Sequence, residues 1–89
     1  MKYIDWNEGK NKKLKNERGI GFEDVLLAIQ EDRLIKTLAH LNKKKYPNQK
    51  IMVIELNSYA YVVLFVEDKE KMFLKTIFPS RKYTKKYLE

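Results

Sequence analysis

Ile51-Met52-Val53-Ile54-Glu55-Leu56, then Asn57-Ser58, then Tyr59-Ala60-Tyr61-Val62-Val63-Leu64-Phe65-Val66 is the stretch that decides how this chain folds. Two apolar runs joined by two turn-forming residues read as paired strands. The near-continuous apolar character of the second suggests a central strand covered on both faces. Glu67-Asp68-Lys69-Glu70-Lys71 reads as the next turn. Met72 to Phe78 completes the meander, with Met72, Leu74, Thr76 and Phe78 expected on one face and Phe73, Lys75 and Ile77 on the other. That alternation puts a lysine among apolar neighbours.

Working back from the meander, Leu34 to Ala39 reads as a further strand, followed by a polar loop from His40 to Gln49. Phe22, Val25, Leu26 and Ile29 recur at the spacing of a helix that lays one apolar stripe on a sheet. Before it, Arg18-Gly19-Ile20-Gly21 breaks an earlier helix, Gly19 being suited to the left-handed residue that ends one. That first helix runs from the capping stretch Asp5-Trp6-Asn7 to about Arg18 and is mostly polar. With Trp6 and Leu14 as its clear apolar residues, it reads as a lid and not a core element. Tyr3-Ile4 is a short opening strand. The order describes one α+β domain over residues 1–89, with a mainly antiparallel sheet, two N-terminal helices and a short C-terminal helix. The helices are expected on one side of the sheet, leaving a concave, basic face open on the other.

The chain has 89 residues and no cysteine, so a single core must hold it without a disulfide or thiolate metal site. Neither a secretory h-region nor an apolar run long enough to cross a bilayer is present, and the composition suits the cytoplasm. Nineteen Lys and Arg against twelve Asp and Glu give a net charge of +7, which favours anionic partners. The cations cluster at Lys10 to Arg18, Lys43 to Lys50 and Arg81 to Lys86.

The last cluster is the most telling. Pro79 ends a strand, Ser80 is a good N-cap, and Arg81-Lys82-Tyr83-Thr84-Lys85-Lys86-Tyr87 places four cations and two tyrosines on a short helix. Cations pair with phosphates and tyrosine rings stack on bases, so Arg81, Lys82, Tyr83, Lys85 and Lys86 are candidate RNA contacts. The same residues also suit an ordinary solvated helix end.

Trp6-Asn7, Lys10, Leu14, Arg18-Gly19-Ile20-Gly21-Phe22-Glu23-Asp24-Val25, Ile77-Phe78-Pro79-Ser80-Arg81-Lys82 and Thr84-Lys85-Lys86 together resemble the BrnT family of toxins from bacterial type II toxin–antitoxin modules. The resemblance spans nearly the whole chain. It implies a RelE-like fold, metal-independent RNA cleavage, and neutralisation by a cognate antitoxin, often one with a ribbon-helix-helix DNA-binding domain. DNA would then be met only through the antitoxin complex. The chain departs from the family at Arg18, where a histidine usually precedes the junction glycine, at Leu14, where asparagine is frequent, and in the loop His40 to Gln49. It therefore reads as a divergent member.

Cleavage without metal needs a base for the ribose 2′-OH, a cation for the phosphorane and an acid for the departing oxygen. Arg81 suits the second role, because a guanidinium binds two phosphate oxygens at once. Lys75, if desolvated on its strand, is a candidate proton acceptor, its bland alternative being a solvent-facing edge lysine. His40 is the only histidine and thus the one side chain whose ordinary pKa lies near neutrality. Lys50, Tyr46 and Gln49 are candidate phosphate and base contacts around it. Trp6 is assigned to structure.

Other chemistries find little support in the sequence. One histidine and no cysteine make a zinc centre improbable, and the glycines at 9, 19 and 21 match no nucleotide-binding fingerprint. No cofactor is expected. The competing reading is a non-catalytic basic module that binds nucleic acid or an acidic protein.

Overall fold

The computed structural model describes residues 3–39, 44–45 and 48–89. Its elements are β1 (Tyr3–Trp6), α1 (Glu8–Arg18), α2 (Phe22–Gln30), β2 (Leu34–Ala39), β3 (Gln49–Leu56), β4 (Tyr59–Glu67), β5 (Lys71–Pro79) and α3 (Arg81–Leu88). The strands form one five-stranded sheet in the order β1-β5-β4-β3-β2. The class is α+β, and the sheet is mixed: β1 lies parallel to β5, while the other ladders are antiparallel. A parallel pairing needs a long crossover, and here the chain from α1 through β4 supplies it.

The β3–β4 hairpin forms as its sequence dictates. Leu56 pairs with Tyr59, and Asn57 and Ser58 both take positive φ, 55° and 64°, as a two-residue turn of this hand requires. At the β4–β5 turn the Asp68 carboxylate accepts from the amides of Glu70 and Lys71, each at 2.8 Å.

In β5 the expected alternation fails. Leu64 pairs with Thr76 but Phe65 pairs with Leu74, so Lys75 is the extra residue of a β-bulge. Beyond it the faces exchange. Met72, Leu74 and Ile77 point into the main core, whereas Phe73, Thr76 and Phe78 belong to the opposite face.

That main core lies between the sheet and the first two helices. Phe22, Val25 and Ala28 of α2 meet Met52, Ile54 and Leu56 of β3, Val63 and Phe65 of β4, and Leu74 and Ile77 of β5. Burying side chains the size of Phe22 and Val25 stabilises the fold by about 1.5–3 kcal/mol each. Helix α1 is more than a lid, since its Leu14 and Asn11 are both buried. Trp6 belongs to β1 and packs on Phe22, ring centroids 5.7 Å apart.

Asn11 joins the two helices. Its Oδ1 accepts from the Phe22 amide at 2.7 Å and its Nδ2 donates to Glu23 Oε1 at 2.9 Å, while Lys15 Nζ reaches Glu23 Oε2 at 3.0 Å. The Asn11 bond, then the backbone amide of Glu23 itself, then Lys15 hold this carboxyl below its ordinary value of 4.5. Between the helices, Gly19 sits at φ 71° and its amide donates to the Lys15 carbonyl at 3.0 Å, closing α1. Asn7 caps the other end, its Oδ1 accepting from the Lys10 amide at 2.9 Å.

The third helix departs from the expected one-sided arrangement. Strand alternation assigns Ile51, Val62, Leu64 and Phe78 to the face opposite α1 and α2, and these residues share a groove with Ser80, Lys82 and Tyr83 at the start of α3. The second face is therefore not an open basic surface. Its floor is apolar, Val53 and Val62 being buried, and α3 flanks it.

Candidate nucleic-acid interface

The position of α3 follows from one turn of sequence. Pro79 is the last residue of β5, and Ser80 caps the helix with its Oγ accepting from the Tyr83 amide at 3.2 Å. The Ser80 amide donates to the Ala60 carbonyl at 2.9 Å, and the Ala60 amide donates to Thr84 Oγ1 at 2.9 Å. Thr84 in turn donates its hydroxyl proton to the Ser80 carbonyl at 2.7 Å. Strand β4 thus grips the first turn of α3 through both backbone groups of Ala60. Thr84 is buried against the sheet, Tyr83, Tyr87 and Leu88 are half-buried, and Arg81, Lys82, Lys85 and Lys86 are exposed.

Those side chains form an aromatic and cationic surface. Tyr83 and Tyr87, one helical turn apart, stack with centroids 5.9 Å apart and an interplanar angle of 20°. Lys82 Nζ lies 5.6 Å from the Tyr83 ring centroid and Lys86 Nζ 5.4 Å from that of Tyr87. Arg81 and Lys85 are exposed one turn apart on the same helix. Among the described residues, Arg81, Lys82, Lys85 and Lys86 have no carboxylate partner. Their charge remains available to an anion.

Beside this helix the groove has a volume of about 290 Å³. Ile51, Val62 and Leu64 form its floor, with Phe78, Tyr83, Lys82 and Ser80 around it. Phe78 is 37 % exposed, next to the last residue of β5 and past the point where β1 stops pairing with that strand at Leu74. Phe78 and Thr84 belong to the stretches that carry the resemblance, but on sequence grounds neither is given a role in the site. The signal for Phe78 is its place two residues before the cap, where strand alternation aims it at whatever follows Ser80.

The sequence-derived candidates separate into two groups. Arg81, Lys82, Tyr83, Lys85 and Lys86 come together on α3, and Gln49 opens β3 on the face of Ile51, two residues from the groove floor. Lys50 does not join them. It shares the α1–α2 face with Phe65, and its Nζ pairs with Glu67 at 2.8 Å. Glu67 lines a separate apolar groove of about 350 Å³ on that face, with Ile4, Leu26, Leu34, Met52 and Met72 among its walls. Among the described residues the charged group lining that groove is a carboxylate, which does not suit a phosphate backbone.

Lys75 also stands apart from Arg81. It is exposed on the bulge, so the desolvation expected for it does not arise, and its Nζ lies 5.5 Å from the Phe73 ring centroid. Phe73 is near the start of β5, away from the strand end that leads into α3. His40 and Tyr46 lie outside the described residues. Gln49 proves to be a strand residue and not part of the preceding loop, since it pairs with Val66.

Among the described residues no helix is long and apolar enough to cross a membrane, and no group of three or more His, Asp and Glu side chains is placed to hold a metal ion. No protein-family model, curated protein or solved structure matches this chain.

Proposed function

We propose that this protein is a BrnT-like ribonuclease toxin of RelE-like type that engages RNA along α3 and the adjoining sheet face, and that an antitoxin neutralises it. The observation that carries the reading is the clamped helix α3, which holds four cations without carboxylate partners among the described residues, and a tyrosine stack, beside an exposed phenylalanine. Polyanion binding and base stacking require these groups together. Burial of Thr84 and the bonds to Ala60 fix the helix before ligand arrives, so little ordering cost falls on binding.

In the proposed reaction the ribose 2′-oxygen attacks the adjacent phosphorus as its proton passes to a base. The bond from phosphorus to the 5′-oxygen breaks, and that oxygen takes up a proton to leave as a hydroxyl. Arg81, in the first turn of α3, stabilises the added charge on the phosphorane with two donors. Lys82, Lys85 and Lys86 hold flanking phosphates. His40 is the candidate proton carrier; Lys50, paired with Glu67, and Lys75, exposed on the bulge, carry no step in this scheme.

The dispersal of Lys50 and Lys75 favours a second reading, a basic module that binds RNA or an acidic protein without cleaving it. Incubation with total RNA in EDTA separates the two. Cleavage by the native chain that disappears in Arg81→Ala and His40→Ala, with circular dichroism unchanged, supports the nuclease. RNA left intact by the native chain selects the binding module. A neighbouring open reading frame for a ribbon-helix-helix protein whose product blocks cleavage supports the toxin assignment.

A further inference from the structure

The groove between Phe78 and Tyr83 differs from the cationic surface beside it in what it can recognise. Its floor of Ile51, Val62 and Leu64 offers no hydrogen-bonding side chain, so a phosphate or a sugar hydroxyl finds no partner on the floor itself. What it offers is an apolar floor, two aromatic rings and, at one side, the hydroxyl of Ser80 and the ammonium of Lys82. At about 290 Å³ it is at the small end of ligand pockets. A planar, largely apolar ring with an attached anion matches that combination.

We infer that this groove seats one unpaired nucleobase of a single-stranded RNA, with Phe78 and Tyr83 as stacking walls and Lys82 on the phosphate attached to it. The inference rests on the RNA-binding reading of α3 and deepens it by naming the form of nucleic acid selected. A base inside a duplex presents only its edge to a protein, because its faces are covered by stacked neighbours. Access to the groove therefore demands an unstacked base. The exposure of Phe78 has a purpose on this view: a ring left bare to water becomes covered when the base arrives. Tyr83 is already stacked on Tyr87, centroids 5.9 Å apart, which stiffens the wall and extends the platform towards the next nucleotide.

Fluorescence anisotropy tests this with labelled oligoadenylate, the same strand annealed to oligouridylate, and inorganic polyphosphate as an anion without bases. The native chain is expected to bind the single strand about tenfold more tightly than the duplex, and Phe78→Ala to weaken single-strand binding about tenfold, the order expected for losing one base–aromatic stack. Polyphosphate binding should not change. Phe78→Tyr, which keeps the ring, should restore single-strand affinity and guards against a folding artefact in Phe78→Ala. Single-strand affinity within twofold of native in Phe78→Ala, alongside weakened binding in Lys82→Gln and Lys86→Gln, overturns the base seat while leaving RNA binding by α3 intact. Failure of the native chain to bind either RNA overturns both.

Discussion

Ala60 and Thr84 are joined by a buried hydrogen bond, the Ala60 amide donating to Thr84 Oγ1 at 2.9 Å, and this bond ties the centre of the sheet to the helix that carries the candidate interface. The same hydroxyl gives its proton to the Ser80 carbonyl at 2.7 Å. One side chain therefore satisfies a strand donor and a carbonyl in the turn that starts α3. On the proposed reading, charge alone would not make a site of this helix; its fixed placement beside Phe78 would.

Thr84→Val keeps the shape of the side chain and removes both bonds. The Ala60 amide, buried with no other acceptor, then carries a desolvation cost of about 1–3 kcal/mol. The expected result is a loss of unfolding free energy of that size, read from a lower urea midpoint, with faster hydrogen exchange at the Ala60 amide and, on the proposed reading, weaker RNA binding as α3 loosens. Thr84→Ser, which keeps the hydroxyl, should recover most of the exchange protection. A Thr84→Val protein as stable as native shows that α3 is held by packing alone.

Gly21→Ala tests the junction between α1 and α2. The backbone there is extended, at φ −136° and ψ −178°, so conformational freedom is not the reason for glycine. Space is. A Cβ at Gly21 meets Asn11 Oδ1 and Lys15 Cε at 2.7 Å and Glu23 Oε1 at 2.9 Å. Lys15 and Glu23 are partly exposed and can swing aside, but Asn11 is buried and held by the Phe22 amide. The substitution should cost about 1–3 kcal/mol, as overpacking does. Asn11→Ala should cost a similar amount for a different reason, an unsatisfied Phe22 amide. Denaturation of the double variant distinguishes them: if the clash with Asn11 is what makes Gly21→Ala costly, adding it to Asn11→Ala costs far less than its effect alone.

Glu23 gives the fold a sign of pH dependence. Its carboxyl is held below 4.5 in the folded chain by Asn11, by its own amide and by Lys15. A group whose pKa is depressed by folding contributes stability above its unfolded pKa and loses that contribution as pH falls through the folded value. The stability from this knot is thus fully present at neutral pH and fades below about pH 4.5. The side chain is 51 % exposed, so solvent screening keeps the effect small. Urea midpoints measured from about pH 7 down to about pH 3, a span that brackets the ordinary carboxylate pKa values of about 4, should fall less steeply for Glu23→Gln than for the native chain. Equal slopes for the two remove Glu23 from the account.

Much of this architecture can be read from the residues, and the misses have physical causes. The hairpin at Asn57-Ser58 and the amphipathic α2 follow from local rules, because turn chemistry and period act over a few residues. The bulge at Lys75 does not: Met72, Leu74, Thr76 and Phe78 alternate plausibly, and the one hint is that Ile77 is a better core residue than Thr76. That single slip separates Phe78 from Met72 and Leu74, with which simple alternation groups it, and puts it on the groove face. Parallel pairing of β1 with β5 joins residues almost seventy positions apart, Tyr3 with Lys71, and leaves no local trace. The charge clusters misled in a similar way. Lys50 and Lys82 look equivalent in sequence, yet strand alternation sends Lys50 to Glu67 and the α1–α2 face, whereas the Ser80 cap sends Lys82 to the groove.

The contrast between those two lysines gives the sharpest check on the proposed RNA path along α3. Each phosphate neutralised by a cation on a single strand contributes about 0.7 to the slope of log affinity against log salt. Lys82→Gln and Lys86→Gln should each weaken single-strand binding and flatten the slope by about that amount. Lys50→Gln should do neither, because its ammonium pairs with Glu67 on the other side of the sheet. The exposed Lys50–Glu67 pair is worth at most about 1 kcal/mol, so its loss should barely affect folding and the comparison stays clean. Should Lys50→Gln flatten the salt slope as much as Lys82→Gln, RNA must also reach the α1–α2 face, and the assignment of the interface to α3 is wrong.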